Sequence, residues 1–175
     1  RRKFEGSPTF VVLTDREELN SQISNTFENC GLLGKNIKAS QFVASSGDDL
    51  VRKLHGNPSF IFTLIQKFNK LNEEPIYPDH DIIIMSDEAH RSQYGLKAKL
   101  GNDGTYKFGY AKHMRDALKN AAFIGFTGTP ISSEDKDTRA VFGDYVSIYD
   151  IQDAVDDGAT VPIYYESRLA KLDIN

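Results

Sequence analysis

The sequence predicts an α/β fold, a mainly parallel sheet flanked by helices, on three observations. Short apolar runs rich in β-branched residues alternate with segments of helical spacing. Three of those runs end in small polar or acidic clusters, "TDR" at 14–16, "SDEAH" at 86–90 and "TGTP" at 127–130. An open parallel sheet binds its ligands outside the carboxyl ends of its strands, so polar groups gathered there fit the fold. The length of 175 residues, 39% of them hydrophobic, matches one domain with one good core.

The elements follow in order. "TFVVLTD" (9–15) reads as a strand, and the next segment as a helix with Leu19, Ile23 and Phe27 on one face. Asp15 with Glu18 has the spacing of a capping box, and Gly31 marks the helix end. "QFVAS" (41–45) reads as a second strand, and "SGDDLVRKLHG" as a short helix from Ser46 to a Gly56 stop. After Pro58, "SFIFTLI" (59–65) is a strand that leads into "QKFNKL". A loop with two prolines, "NEEPIYPDHD", precedes the apolar strand 81–86, and "RSQYGLKAKLGNDGTYKFG" has the glycines of a surface excursion with local turns. Residues 110–120 place Ala111, Met114 and Leu118 on one helical face, and "AAFIGFTGTP" (121–130) is another strand. Asp150 caps a last helix that runs to Gly158, and "TVPIYYESRL" reads as a final strand. There is no internal repeat and no low-complexity segment.

Composition narrows the function classes. A net charge of -4 gives no global electrostatic footprint for nucleic acid, so any polyanion site must be local. The single cysteine, Cys30, excludes an internal disulfide framework and a cysteine-rich zinc site, and points to a reducing compartment. Its place on a helix face reads as a core thiol. No apolar run approaches the roughly 18 residues of a membrane span, and "RRKFEGSPTF" lacks the apolar stretch of a secretory signal. Basic residues lead abruptly into the first strand, as in a piece cut from a longer chain.

The polar clusters carry the chemistry. Nucleotide hydrolysis needs a carboxylate at a strand end to hold Mg2+, usually through its waters, and Asp87 comes first after the strand. Glu88 is then the group to orient and deprotonate an attacking water. The bland alternative makes the two acids a helix cap and a solvated first-turn residue. On their own, Thr127, Gly128, Thr129 and Pro130 read first as a strand end turning through Gly and Pro. Thr14 and Arg16 stand at a strand end, and Arg16 either touches phosphate or faces solvent. Thr63 and Gln66 have the same two readings, Gln66 as the start of a helix. His55, His80 and His113 lack metal-ligand spacing and read as surface or satisfied histidines. The basic residues at 97, 99, 107, 112, 115 and 119 form either a DNA patch or, in the favoured reading, a solvated face.

Taken in order, these clusters resemble the helicase motor core of superfamily 2, and within it the motor subunit of type I restriction endonucleases. "VVLTDREELNSQISNTF" resembles motif Ia, "IFTLIQKF" the next DNA-facing motif, "DEAHRSQYG" the Walker B box and "GFTGTPI" motif III. The tail "FGDYVSIYDIQDAVDDGATVPIYYESR" is similar to the segment these subunits carry after motif III, so the resemblance covers nearly the whole chain. It implies that residues 1–175 are a partial first RecA-like motor domain, from motif Ia to just past motif III, in a prokaryotic cytoplasmic enzyme. ATP and Mg2+ are the implied cofactors, with Asp87 on the metal and Glu88 on the water. His90 with Thr127, Gly128 and Thr129 would couple hydrolysis to movement, and Thr14, Arg16, Thr63 and Gln66 would face DNA. The implied partners are double-stranded DNA and the methyltransferase and specificity subunits of the restriction complex, with no membrane.

A Gly-rich loop ending in Gly-Lys-Ser/Thr, which cradles nucleotide phosphates, does not occur in these 175 residues. "GLLGKNIKAS" has Asn36 where Ser or Thr is required and follows a helix. The resemblance implies that this loop and a nuclease domain precede the chain and that a second motor lobe follows it. The isolated chain is then expected to be inactive, with "AAFIGFTG" an exposed sheet edge open to self-association. The competing readings are a type III restriction subunit or other superfamily 2 translocase, and a non-hydrolysing RecA-like module that binds DNA or partner subunits.

Overall fold

The computed structural model describes residues 7–70, 75–76, 78–89, 99–100, 106–107, 110–128, 139 and 142–162. The chain divides into two units, 1–143 and 144–175. In the first, four parallel strands form a sheet in the order β2-β1-β3-β6: β1 Thr9–Thr14, β2 Phe60–Leu64, β3 Ile82–Ser86 and β6 Ala122–Gly125. Helices α1 (Glu17–Asn29), α2 (Gly47–His55) and α3 (Tyr110–Ala117) fill the crossovers. Two-residue strands β4 (Lys99–Leu100) and β5 (Tyr106–Lys107) pair antiparallel within the predicted excursion. This is the parallel α/β architecture predicted from the alternation.

Strand alternation explains why both faces are covered. Val11, Leu13, Ile61, Ile82 and Ile84 project to one side and pack with Leu50 and Leu54 of α2 and Met114 of α3. The alternate positions Val12, Phe62 and Met85 project to the other side and meet Ile23 and Phe27 of α1. A central strand buried on both faces needs near-continuous apolar residues, which "FVVL" and "IIIM" provide.

Local chemistry sets the helix limits. Ser46, where the helix was expected to begin, accepts the Asp49 N–H and is the N-cap of α2. At the end of α1, Gly31 (φ 72°) makes the left-handed turn while its N–H donates to Glu28 O and that of Leu32 to Phe27 O. That pair of bonds is a Schellman closure. In the second unit Asp150 and Asp153 form a reciprocal capping box at the start of α4 (Ile151–Asp156).

Several expectations differ from the structure. The residue at the N-cap of α1 is Arg16, with no side-chain cap, so Asp15 and Glu18 do not form a capping box. Asp15 stands one residue too early. Cys30 is exposed rather than buried, because it is the C-cap residue where the helix reverses. The fully buried positions of α1 are Asn20 and Ser24, small polar residues that an apolar-face count passes over. The expected strand 41–45 shrinks to a single parallel bridge from Val43 to Phe62. Its backbone is diverted at both ends. Glu28 accepts the Ala39 N–H at 2.7 Å, where residues Ala39–Gln41 turn as a 3-10 helix, and the Ser45 N–H donates to the Asp49 carboxylate at 2.9 Å. Residues 160–162 form no strand, and the rest of the expected last strand lies outside the described residues.

The amino ends of the strands are tied by one buried hydroxyl. Thr9 Oγ1 donates to Pro58 O at 2.6 Å and lies 2.9 Å from His80 Nε2, which therefore donates to it. Burial holds the His80 ring below its ordinary pKa, against the opposing pull of Asp79 and Asp81. His80 is thus a satisfied structural histidine, as expected.

Candidate functional site

Because all four strands run parallel, their carboxyl ends share one edge of the sheet. That places the loops after Thr14, Leu64, Ser86 and Gly125 on a common side, as the polar clusters implied. His90, Thr129 and Pro130 lie outside the described residues.

The acidic pair is held by backbone bonds from its neighbours. Asp87 N–H donates to Leu13 O at 3.0 Å, which continues the β1–β3 ladder one step past the strand. Glu88 N–H donates to Asp87 Oδ1 at 2.9 Å, and Glu88 adopts φ 49°. Among the described residues, the other two with positive φ that are not glycine are Asn36 and Asn57. Asn tolerates this region through its short polar side chain, whereas Glu does so at a cost of about 1 to 2 kcal/mol. A strained non-glycine residue held by surrounding bonds is a mark of functional loops.

The acid loop is also locked to β6. Ala89 N–H donates to Phe126 O at 2.9 Å, and Phe126 N–H donates to Ser86 O at 2.8 Å. Gly125 permits this close approach: a Cβ there would lie 2.9 Å from Ala89 Cβ and 3.0 Å from Phe142 Cγ. We expect Gly125→Ala to destabilise the fold by about 1 to 3 kcal/mol through overpacking. A melting temperature unchanged from the unsubstituted protein would refute that packing.

Thr127 is half-buried and Gly128 exposed just beyond this junction. β6 itself pairs only with β3 among the described strands, and Ile124 and Phe126 are 46% and 54% exposed. Among the described residues, β6 thus has the exposed apolar edge expected at "AAFIGFTG".

On the β1 side, Arg16 is 61% exposed at its side chain and approaches Asp15 Oδ2 at 3.7 Å. Thr14 and Thr63, both read as DNA-facing, are fully buried. Their hydroxyls donate to Arg16 O and Leu64 O, each at 3.4 Å, so neither offers a surface contact. Gln66 is half-buried at the start of the 3-10 helix Ile65–Lys70, and its Nε2 donates to Asp15 O at 2.9 Å. A pocket of about 460 Å³ opens between these loops, lined by Asp15, Arg16, Glu18, Leu19, Gln22 and Glu88. Sequence reasoning missed Glu18 and Gln22 as lining residues, although their i,i+4 spacing puts them on one side of α1.

The expected basic stripe takes the bland form where it is described. Arg115 stacks over Phe123 with its guanidinium carbon 3.9 Å from the ring centroid, and Lys112 pairs with Asp116 on the same helix. The side chains at 97, 99 and 107 lie outside the described residues. No described helix is long and apolar enough to cross a membrane.

Known proteins are similar to this chain over most of its length. The "Type I restriction enzyme HindI endonuclease subunit" of Haemophilus influenzae is 53% identical over 178 residues, covering 95% of this chain and 16% of that protein. The "Putative type I restriction enzyme MjaIXP endonuclease subunit" of Methanocaldococcus jannaschii is 39% identical, over 94% of this chain and 14% of that protein. The chain therefore spans about one sixth of the length of these relatives. Among solved structures, the Pyrococcus furiosus Hef helicase domain aligns with 78% of this chain and 28% of its own, at 19% identity and a TM-score of 0.47. The profile described as SWI2/SNF2 ATPase matches residues 2–175, and the chain, with its parallel α/β sheet, belongs to that ATPase family.

Proposed function

We propose that this chain is part of the first RecA-like lobe, residues 1–175, of the ATP-driven DNA-translocating motor in a type I restriction endonuclease subunit. The observation that carries the reading is the Asp87–Glu88 pair at the end of β3, where Asp87 is bonded to β1 and the flanking Ser86 and Ala89 are bonded to Phe126 just past β6. A motor needs its hydrolytic acids mechanically joined to the loops that meet its track, and backbone hydrogen bonds of 2.8 to 3.0 Å provide that joint here.

The donor set fits Mg2+ held mainly by water and phosphate oxygens. Among the described residues no group of three or more His, Cys, Asp or Glu side chains could hold a metal as an all-protein cage. A single strand-end carboxylate, Asp87, is the arrangement in which Mg2+ keeps most of its waters. When bound, the ion would neutralise charge on the phosphates during transfer. Asp87 would hold it, and Glu88 would take the proton of the attacking water. Arg16, the exposed cation at the end of β1, would meet a DNA phosphate, and His90, Thr127, Gly128 and Thr129 would couple hydrolysis to movement. The reading places the protein in a prokaryotic cytoplasm with double-stranded DNA, methyltransferase and specificity subunits as partners.

The test is ATP hydrolysis by the full-length protein with and without duplex DNA and its partner subunits. Stimulation by DNA is expected, and none from the 175-residue chain alone. A full-length protein that binds DNA without hydrolysing ATP would replace this reading with that of a non-hydrolysing module.

A further inference from the structure

We propose that Gln66 is a positioning residue that sets the DNA-contacting loop of Arg16 rather than touching DNA itself. The inference rests on the motor reading above. Gln66 stands just past β2, and its side chain crosses to the neighbouring strand's exit loop, where Nε2 donates to Asp15 O at 2.9 Å. That carbonyl lies one residue before the N-cap of α1, outside the helix ladder, so the carboxamide supplies its partner. The bond fixes the plane of the Asp15–Arg16 peptide. The next carbonyl, Arg16 O, accepts from Thr14 Oγ1 at 3.4 Å and from Asn20 N–H at 3.0 Å. Two consecutive carbonyls are thus pinned, and the direction in which the exposed Arg16 side chain leaves the backbone is set by them.

The rest of the amide has no ligand-facing role. Gln66 Oε1 is buried without a hydrogen-bond partner, so only the Nε2 bond orients the group. Polarity also fixes which end faces Asp15, because a carbonyl can be satisfied only by the NH2 end. Arg16, in contrast, is exposed, and among the described residues its side chain approaches Asp15 at 3.7 Å, a partner that a phosphodiester oxygen can displace. The same loop borders the pocket that Glu88 enters. Gln66 therefore joins the β2 exit to the loop between β1 and α1, at the point where that loop meets the acid pair.

A double-substitution cycle on the full-length protein tests this, with Gln66→Glu, Arg16→Ala and both together. Glutamate keeps the volume of glutamine but offers the Asp15 carbonyl no donor, so the bond is lost, and the melting temperature of the variant checks that the fold is retained. Duplex binding is read by anisotropy of a labelled DNA at several salt concentrations, alongside the DNA concentration that half-stimulates ATP hydrolysis. Gln66→Glu should weaken binding about three- to tenfold. It should also reduce the salt slope by about one, as the loss of one phosphate contact does. Added to Arg16→Ala, it should change nothing further. Losses that multiply in the double variant would mean that Gln66 contacts DNA on its own, and would overturn the proposal. So would a lowered melting temperature with unchanged DNA binding, the result of a purely structural role. Absence of DNA-stimulated hydrolysis in the unsubstituted protein would remove the motor reading while the binding cycle still decides the role of Gln66. Failure to bind the duplex at all would remove both.

Discussion

Replacing Glu88 by Gln in the full-length protein is expected to lower the turnover number for ATP hydrolysis by about a hundred- to ten-thousandfold, the range contributed by a positioned general base. ATP affinity should be unchanged. The reason lies in the division of labour at the end of β3. Asp87 has its N–H on Leu13 O and its Oδ1 on the Glu88 N–H, so both bonds to the acid loop remain when only the Glu88 side chain changes. Glutamine also keeps the length and shape that line the pocket with Arg16 and Glu18. It loses only the capacity to accept a proton. A fall in turnover with nucleotide affinity intact is the signature of an interaction made in the transition state alone. Retained turnover would take the general-base role away from Glu88, and loss of ATP binding would show that its carboxylate supports the nucleotide pocket instead.

Phe62→Ala should produce the largest loss of stability, about 3 to 5 kcal/mol. Phe62 is fully buried in β2, on the face that α1 covers. Its ring meets Phe27 edge-on at 5.3 Å and stacks with Phe60 at 6.3 Å, so truncation removes both aromatic contacts and leaves a cavity under the helix. The site cannot easily collapse, because the Phe62 backbone is hydrogen-bonded on its open side to Phe42 O and Ala44 N–H. For a chain of this length the loss corresponds to a fall in melting temperature of roughly 10 °C. Thermal unfolding measured by circular dichroism checks it. A change under about 1 kcal/mol would mean that α1 does not pack on this face.

Arg16 shows how far single-sequence reasoning reaches at the candidate site. Its place at a strand end was legible from "TDR", which left open whether it meets phosphate or solvent, and the structure exposes its side chain. Thr14, two residues earlier, was read the same way, yet its side chain points inward, because it continues the buried run of β1. Strand-end patterns show that the chain leaves the sheet, but not at which residue side chains begin to face out. Gln66 is a sharper case. Its sequence neighbours reveal nothing of Asp15, 51 positions away, whose carbonyl it meets because β1 and β2 are paired in register.

The capping of α1 and the strand at 41–45 failed for a related reason. Both rested on local signals, and both were overruled by partners distant in the chain or by competing polar groups. The Asp15 carbonyl is taken by Gln66, and the Ala39 N–H by Glu28, eleven residues away. Cap and strand propensities amount to about a kilocalorie per mole each, which one hydrogen bond to a charged group can match.

What the sequence determined by itself is the alternation of buried strands with amphipathic helices, and the presence of acids and hydroxyls at strand ends. Both follow from periodicity and from the fixed polarity of a parallel sheet. Only the tertiary structure decided which of those polar residues are buried, that Glu88 takes φ 49° beside the Arg16 loop, and that Gly125 must stay small beneath Ala89. Those features depend on strand register and on contacts between segments far apart in the chain, and neither is encoded in the spacing of neighbouring residues.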